Sequence, residues 1–147
     1  MSKLTVCVGI PASGKSTWSN MMVHTIRNVV RFNRDDVRFM MYNNYWGGHI
    51  DEGLITEIQN NAIRSSLRAG TNVIVDNTNL GLTYIKGFKN LAENCGADFE
   101  TKWFPVDLGE ALKRNAARER QVPVDVIAAM HRRYVKISQE FVSDELL

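Results

Sequence analysis

The sequence predicts an α/β fold in which a parallel sheet of about four strands is covered by helices. Short apolar runs alternate with longer stretches whose apolar residues recur at helical spacing, in the order β-α-β-α-β-α-β-α-α. The first run, LTVCVGI (residues 4–10), is continuous and rich in β-branched residues, as expected of a strand buried on both faces. Ligands of such sheets bind at the carboxyl ends of the strands, so the loops that follow the strands are the candidates for a functional site.

The totals of the chain are those of an ordinary globular protein. Its 147 residues are enough for a core, and we expect residues 1–147 to form one domain. Two cysteines far apart in the sequence indicate a reducing compartment such as the cytoplasm. A net charge of +2 is too small to predict nucleic-acid binding by itself. No apolar stretch is long enough to cross a membrane, so we expect no membrane partner, and the oligomeric state stays open.

Each later element carries its own signal. The remaining strands are predicted at VVRFN (29–33), NVIVD (72–76) and FETKWFPV (99–106). Helices are predicted at KSTWSNMMVHTI after the first strand, at 51–70, at 82–96, at 107–120 and after Pro123. Glycines at 70 and 96 end two of these helices, and Asp107 with Glu110 forms a capping box at the start of another. The apolar spacing predicts these core residues: Trp18, Met22, Ile26, Ile55, Ile58, Ala62, Tyr84, Phe88, Leu91, Ile127, Met130, Tyr134 and Ile137.

The strongest motif is GIPASGKST (9–17), which matches G-x-x-x-x-G-K-[ST] between a buried strand and a helix. Glycines let successive backbone N–H groups point at one anion, and the helix N-terminus adds partial positive charge. The motif therefore predicts a phosphate loop (P-loop) that binds a nucleoside triphosphate with Mg²⁺. Lys15 should reach the β- and γ-phosphates, and the hydroxyl of Ser16 should bind Mg²⁺. The predicted nucleotide contacts are Gly9, Pro11, Ala12, Ser13, Gly14, Lys15, Ser16 and Thr17.

Two acidic segments follow the next strands, in FNRDDVR (32–38) and DNTN (76–79). Strand ends meet at one edge of a parallel sheet, so a carboxylate there can take the proton of an acceptor hydroxyl during phosphoryl transfer. Adjacent residues cannot both face the cleft. We therefore expect one of Asp35 and Asp36 to point inward and the other to cap the following helix. Asp76 ends an apolar strand and fits a position that reaches Mg²⁺ through water.

A basic stretch after the fourth strand, residues 113–122, is the candidate lid. We expect it to close over the triphosphate, with Arg114 and Arg118 as further nucleotide contacts. Arg114 and Arg118 lie four apart and so share a helical face. A solvated basic face is the alternative interpretation. Residues 40–50, MMYNNYWGGHI, form either a loop that stacks a nucleobase on Tyr42, Tyr45 or Trp46, or a loop anchored in the core by Trp46. We interpret HRRYVK (131–136) as a solvated helix face rather than a nucleic-acid contact.

The motifs GIPASGKSTW, FNRDDVR, VIVDNTNL and KRNAARERQVPVDVIAAM occur in this order over nearly the whole chain. In order and spacing they resemble the kinase domain of phage polynucleotide 5′-hydroxyl kinases. The resemblance implies a P-loop kinase fold with an arginine-bearing lid. It also implies Mg²⁺-dependent transfer of the γ-phosphate of ATP to the 5′-OH end of DNA or RNA, as in nucleic-acid repair, in the host cytoplasm if a phage encodes the chain.

The resemblance also implies individual roles. Asp35 is the general base, Arg38 holds the phosphate 3′ to the acceptor nucleoside, Thr78 lies at the acceptor site, and Arg118 stabilises the transition state. The chain departs from the phage pattern in having Asn77 directly before Thr78. Whether Asp76 or Asn77 supports Arg38 is therefore open.

Arg120 lies where the phage kinases have a glycine-containing run, so the resemblance assigns it no role. The alternatives are a kinase for a small hydroxyl metabolite or antibiotic, and a nucleotide-binding switch without transfer. No D-x-D-G-T motif is present, so a complete chain is not expected to be a 3′-phosphatase.

Overall fold

The computed structural model describes residues 1–144, and its centre is a four-stranded parallel sheet. The sheet order is β2-β3-β1-β4, with Val6 paired to Val75 between the two inner strands. The strands are β1 (Lys3–Val8), β2 (Val29–Phe32), β3 (Asn72–Val75) and β4 (Asp98–Trp103). The predicted fold class and strand number are confirmed, although each strand ends before its apolar run does.

Six helices connect and cover the strands in the described part of the chain. They are α1 (Lys15–Thr25), α2 (Arg34–Tyr42), α3 (Glu52–Arg68), α4 (Leu82–Asn94), α5 (Leu108–Ala116) and α6 (Val124–Asp144). Gly70 and Gly96 adopt positive φ just beyond α3 and α4, as their role as helix stops requires. Within residues 1–144, no helix has the length and apolar character needed to cross a membrane.

Two apolar clusters hold the helices on the sheet. In the first, residues of α3 and α4 such as Ile63 and Leu91 pack around Leu4 and Val6 of β1. In the second, residues of α4, α5 and α6 pack around Val8 at the carboxyl end of β1. Leu4, Val6 and Val8 have no exposed surface, so β1 is buried as the apolar run predicted.

Part of the predicted core is wrong. The inward face of α3 carries Ile55, Gln59, Ile63 and Leu67, whereas Ile58 is exposed. Because the polar residue Gln59 lies on the inward face, the apolar pattern in the sequence led to the neighbouring Ile58 being predicted instead. Ile26 and Tyr84 are also exposed, and in α4 the buried residue is Ile85 instead. The core residues predicted for the last helix include Ile127, Tyr134 and Ile137, and these are buried.

The order of the strands assembles the site. β3 lies between β1 and β2, so the loops that follow these three strands are neighbours at one edge of the sheet. The loop after β1 is the P-loop motif. Asn33 follows β2, and residues 76–79 follow β3. A backbone hydrogen bond from Gly9 N–H to the carbonyl of Thr78 joins the first and third of these loops directly.

Candidate active site

The P-loop curls tightly between β1 and α1, and two glycines permit the curl. A Cβ on Gly9 would lie 2.7 Å from the hydroxyl oxygen of Ser13, closer than any real contact. Gly14 has a φ of 100°, in the left-handed region that favours glycine. The ammonium group of Lys15 folds back and donates to the carbonyl oxygen of Ile10 at 2.9 Å. Lys15, which the motif predicts to bind phosphate, is thus hydrogen-bonded to the backbone of its own loop.

Lys15 lies deep in the site, with 7% of its surface exposed. Burial lowers the pKa of Lys15 to about 8, while the negative charge of Asp76 acts in the opposite direction. A cation held in a poorly solvated site is stabilised by an incoming polyanion. The position of Lys15 therefore favours a triphosphate.

Asp76 follows β3 directly and is completely buried. Its Oδ2 accepts hydrogen bonds from the hydroxyl of Ser19 at 2.9 Å and from Nε of Arg31 at 2.8 Å. A second nitrogen of Arg31 also lies 2.8 Å from this oxygen, and Arg31 pairs with Asp36 on its other side at 2.8 Å. Arg31 was not predicted as a site residue. It compensates the buried charge of Asp76 from the neighbouring strand.

The oxygen atoms around this floor suit Mg²⁺. Oδ1 of Asp76 is buried and has no hydrogen-bond partner among the described residues. Asp76 and Ser16 line the same cleft. A carboxylate and a hydroxyl beside a phosphate-binding loop are the donors that Mg²⁺ uses, with water and phosphate oxygens completing its shell. The residues thus fit the ion, and the predicted ligands Ser16 and Asp76 stay a prediction.

The helix α2, absent from the predicted order of elements, begins directly after β2. Asn33 is its N-cap, since the side chain of Asn33 accepts the backbone N–H of Asp36 at 3.0 Å. The prediction that Asp35 or Asp36 caps the helix is therefore wrong. Both acids lie in the first turn, where negative charge is favourable. Asp35 lines the cleft, and Asp36 turns to Arg31.

Asp35 and Arg38 lie one turn apart on α2 and are in contact, with NH1 of Arg38 2.6 Å from Oδ1 of Asp35. The carboxylate of Glu52, the first residue of α3, accepts hydrogen bonds from the other edge of the same guanidinium, from Nε of Arg38 at 2.7 Å and from NH2 at 2.9 Å. The hydrogen bond from Arg38 lowers the pKa of Glu52 to about 2, helped by Arg34 and opposed by partial burial. The same bond raises the pKa of Arg38. Glu52 thus holds Arg38 beside Asp35.

Neither Asp76 nor Asn77 supports Arg38. The side chain of Asn77 accepts the backbone N–H of Arg34 at 2.8 Å and donates to Gln59 at 3.1 Å. Asp76 pairs with Arg31. The hydrogen bonds of Arg38 go to Asp35 and Glu52, so the expectation that Asp76 or Asn77 supports it is wrong. Asn77 instead ties the start of α2 to the loop after β3.

The lid differs from prediction in one respect. The helix α5 ends at Ala116, so Arg118 lies in the turn that follows and does not share a helical face with Arg114. Arg114 donates to the carbonyl of Ala12 in the P-loop at 3.2 Å and pairs with Glu110 at 3.0 Å. Both predicted lid arginines nevertheless line the cleft.

Arg118 lines the cleft, and one nitrogen of its guanidinium group is buried. Its NH1 has no hydrogen-bond partner among the described residues. Burial and the nearby positive charge of Arg120 lower the pKa of Arg118, while Asp35 acts in the opposite direction. A buried guanidinium nitrogen without an acceptor costs free energy.

Arg120, which received no role from the sequence, also lies in the cleft. Its NH2 is 3.2 Å from Oδ2 of Asp35, and its guanidinium lies 3.9 Å above the ring centroid of Tyr45. Tyr45 in turn stacks on Phe39 of α2. Trp46 is 71% exposed, so the interpretation that it anchors the 40–50 loop in the core is wrong.

These groups surround one cleft of about 790 Å³. Its walls bring together the predicted residues Pro11, Ala12, Gly14, Lys15, Ser16, Thr17, Asp35, Arg38, Asp76, Asn77, Thr78, Arg114 and Arg118. Gly9 and Ser13 belong to the same loop but are not among the residues that line the cleft; Ser13 is buried, and Gly9 allows the close approach described above. The other residues of the wall were not predicted as site residues; they are Trp18, Met21, Asn33, Arg34 and Arg120.

A second cavity of about 790 Å³ shares Arg34, Arg38, Asn77 and Thr78 with this cleft. Beyond these shared residues it runs between α3, α4 and α6. Four arginines and a single acid, Glu52, line it, along with the ring of Tyr84 and several asparagines. Arg133 is one of these arginines, although its segment was interpreted as a solvated face.

The chain is similar to known proteins along most of its length. A family model described as an AAA domain matches residues 4–137. A protein of Autographa californica nuclear polyhedrosis virus, assigned as a bifunctional polynucleotide kinase/RNA ligase, is 26% identical over 92% of this chain. An L-seryl-tRNA(Sec) kinase of Methanococcus maripaludis is 29% identical over 89% of it.

A solved structure supports the same relationship. A chain of the Pnkp1/Rnl/Hen1 RNA repair complex superposes with a TM-score of 0.86 and 29% identity over 95% of this chain. The chain spans 46% of that protein, and 21% and 52% of the two curated relatives. The similarity therefore concerns one part of each longer protein.

Proposed function

The chain belongs to the AAA domain family of P-loop kinases, and from that premise we propose that it is an ATP-dependent polynucleotide 5′-hydroxyl kinase. The viral relative and the RNA repair complex support this choice of acceptor. The proposal makes 5′-OH ends of DNA or RNA the partner, with repair of nucleic acid as the setting and the cytoplasm as the place.

One observation carries the proposal: Asp35 and Arg38 touch at 2.6 Å on the wall of the cleft that Lys15 also lines. A carboxylate next to a guanidinium pairs a proton acceptor with an anion clamp. An acceptor that carries a phosphate close to its hydroxyl satisfies both groups at once. A 5′-nucleotide end with a 3′-phosphodiester has this arrangement.

The reaction assigns one task to each residue. Asp35 takes the proton of the 5′-hydroxyl as that oxygen bonds to the γ-phosphorus, and the bond from phosphorus to the β,γ-bridging oxygen breaks to release ADP. Lys15 and Arg118 hold the phosphoryl oxygens while charge moves to the leaving group. Bound Mg²⁺ supplies further neutralisation of the phosphates, with Ser16 and Asp76 as its candidate holders.

The second cavity supplies a path for the rest of the strand. Its lining includes Arg38 and Thr78, where the 3′-phosphate is expected, together with Arg64, Arg133 and the exposed ring of Tyr84. Arginines suit backbone phosphates, and an exposed aromatic ring suits a base, as in grooves that bind single strands. Such contacts read little sequence, so base identity should matter little.

The similarity to an L-seryl-tRNA(Sec) kinase favours a second acceptor class, a hydroxyl on an aminoacyl group. The same Lys15, Asp35 and lid would serve a kinase for that hydroxyl or for a small metabolite. A nucleotide-binding switch is the third reading. A polynucleotide kinase should transfer faster to an acceptor that carries a phosphate beside its hydroxyl. A kinase for the other hydroxyls should not, and a switch should show no transfer.

The test measures kcat/KM with γ-labelled ATP for a nucleoside, its 3′-monophosphate and a 5′-OH oligonucleotide. We expect the 3′-monophosphate to exceed the nucleoside by about a hundredfold, because positioning is a large part of phosphoryl-transfer catalysis. Arg38→Ala should erase most of this difference.

The comparison for Arg38→Ala is an arginine variant in the second cavity. Arg64→Ala removes an arginine that lines only that cavity and should lower efficiency with the oligonucleotide while leaving the 3′-monophosphate nearly unchanged. Equal efficiency of nucleoside and 3′-monophosphate in the wild type would transfer the proposal to the metabolite class. Absence of transfer to any acceptor would favour the switch.

A further inference from the structure

Arg120 joins the lid to the opposite wall of the cleft at two points. Its guanidinium bonds to Asp35 at 3.2 Å and lies 3.9 Å above the centroid of the Tyr45 ring. Tyr45 stands on Phe39, with ring centroids 4.9 Å apart and planes inclined by 26°. The lid is thereby supported by a stack of two rings that rises from the helix carrying Asp35.

The side-chain amide of Asn115 closes the lid turn by joining its two ends. Asn115 is buried; its Nδ2 donates to the carbonyl of Val122 at 2.8 Å, and its Oδ1 accepts the N–H of Val122 at 2.9 Å. These two bonds clamp the ends of residues 115–122. Whatever holds Arg120 therefore also sets the position of Arg118, two residues before it.

We propose that Arg120 is a positioning residue that fixes the lid to Asp35 and Tyr45 and thereby sets Arg118 over the transferring phosphoryl group. The catalytic part of this inference rests on the proposed kinase function. The contact also orients Asp35, whose two oxygens are held from opposite sides by Arg38 and Arg120. Each carboxylate oxygen accepts more than one hydrogen bond, so a lone pair stays available for the acceptor hydroxyl.

The first experiment needs no substrate. Trypsin is added to the free chain, and mass spectrometry follows cleavage after Arg114 and Arg118. Tyr45→Leu leaves the lid sequence unchanged but removes the stacking ring, and should raise the rate of cleavage roughly fivefold, since cleavage follows the population of the open lid. Tyr45→Phe keeps the ring, and Trp46→Ala alters its exposed neighbour. Both should cleave at the wild-type rate.

The second experiment separates positioning from binding. Arg120→Ala should lower kcat about tenfold with little change in the KM for ATP, because it displaces Arg118 without removing a nucleotide contact. Combining it with Tyr45→Leu should add little, since both act on one contact. Arg120→Lys keeps the charge beside Asp35 and should recover part of kcat. Glu119→Ala, an exposed neighbour, is the control and should keep the wild-type kcat.

The outcomes decide the inference separately from the proposed function. Absence of any transfer by the wild type refutes the kinase and the catalytic part together, while trypsin still decides whether Arg120 holds the lid. If trypsin cleaves Tyr45→Leu at the same rate as the wild type, the inference that Arg120 holds the lid on Tyr45 is overturned. A higher kcat for Arg120→Ala overturns positioning, because Arg120 would then obstruct Asp35.

Discussion

Arg31 of β2 and Asp76 at the end of β3 form an ion pair beneath the P-loop, with two guanidinium nitrogens 2.8 Å from one carboxylate oxygen. The pair exists because β2 and β3 are neighbours in the sheet, in register from Val29 to Phe32. Asp76 is completely buried and the Arg31 side chain is 17% exposed. The arginine thus allows an ionised carboxylate on the floor of the cleft.

Arg31→Met should destabilise the protein by about 3 kcal/mol, because it leaves the carboxylate of Asp76 buried without its cation. Chemical denaturation measures the loss. The double variant Arg31→Met/Asp76→Asn should recover part of it, because the charge is then gone. A double variant no more stable than Arg31→Met would show that the cost comes from lost packing.

Asp35→Asn should abolish transfer while ATP binding is retained, since the amide cannot accept the proton. Asp36→Asn should retain transfer and cost at most about 1 kcal/mol, because its ion pair with Arg31 is solvent-exposed on the carboxylate side. The measurements are single-turnover transfer, ATP titration and thermal unfolding. An inactive Asp36→Asn beside an active Asp35→Asn would reverse the assignment of the base.

Lys15 should give the free energy of unfolding a pH dependence. Its pKa is about 8 in the folded chain against 10.5 when unfolded, so the unfolded state binds more protons between these values and stability rises with pH. Lys15→Met should be the more stable protein at pH 7, and the difference should shrink by about 3 kcal/mol between pH 8 and 10.5. A difference that is constant over this range would contradict the lowered pKa. Lys15→Met should also lose nearly all transfer.

Arg118→Ala should lower kcat by roughly a hundredfold or more and change the acceptor KM little, because its charge acts on the transition state. Steady-state kinetics with both substrates measures this. Arg114→Ala is a useful comparison, since Arg114 is bonded to the P-loop carbonyl of Ala12 and should act mainly on ATP affinity. A change confined to the acceptor KM of Arg118→Ala would place that side chain on the nucleic acid.

The features predicted well from the sequence are those that local chemistry determines. The P-loop begins at the end of a run rich in β-branched residues, and parallel strands bring their carboxyl ends together whatever lies between them. The strand ends therefore placed Asp76, Thr78 and one of the two adjacent acids on one cleft, and the family resemblance chose Asp35, which lines it.

The helix α2 was not predictable in this way. None of its residues is buried, so RDDVRFMMY carries no inward apolar stripe, and its cap Asn33 has no capping-box glutamate three positions later. Ion pairs and the tie from Asn77 hold it in place. Contacts such as Arg38 with Glu52, or Arg120 with Asp35, join residues far apart in sequence and leave no spacing signal.

The meeting of the two cavities at Arg34, Arg38, Asn77 and Thr78 bears on the order of events in a catalytic cycle. If donor and acceptor each have an opening of their own, neither has to leave before the other can exchange. Initial-rate plots should then show random addition, and ADP and the phosphorylated end should each compete only with the substrate that shares its opening. ADP must still be replaced by ATP before each further transfer, but separate openings let this exchange occur while the phosphorylated end is still bound.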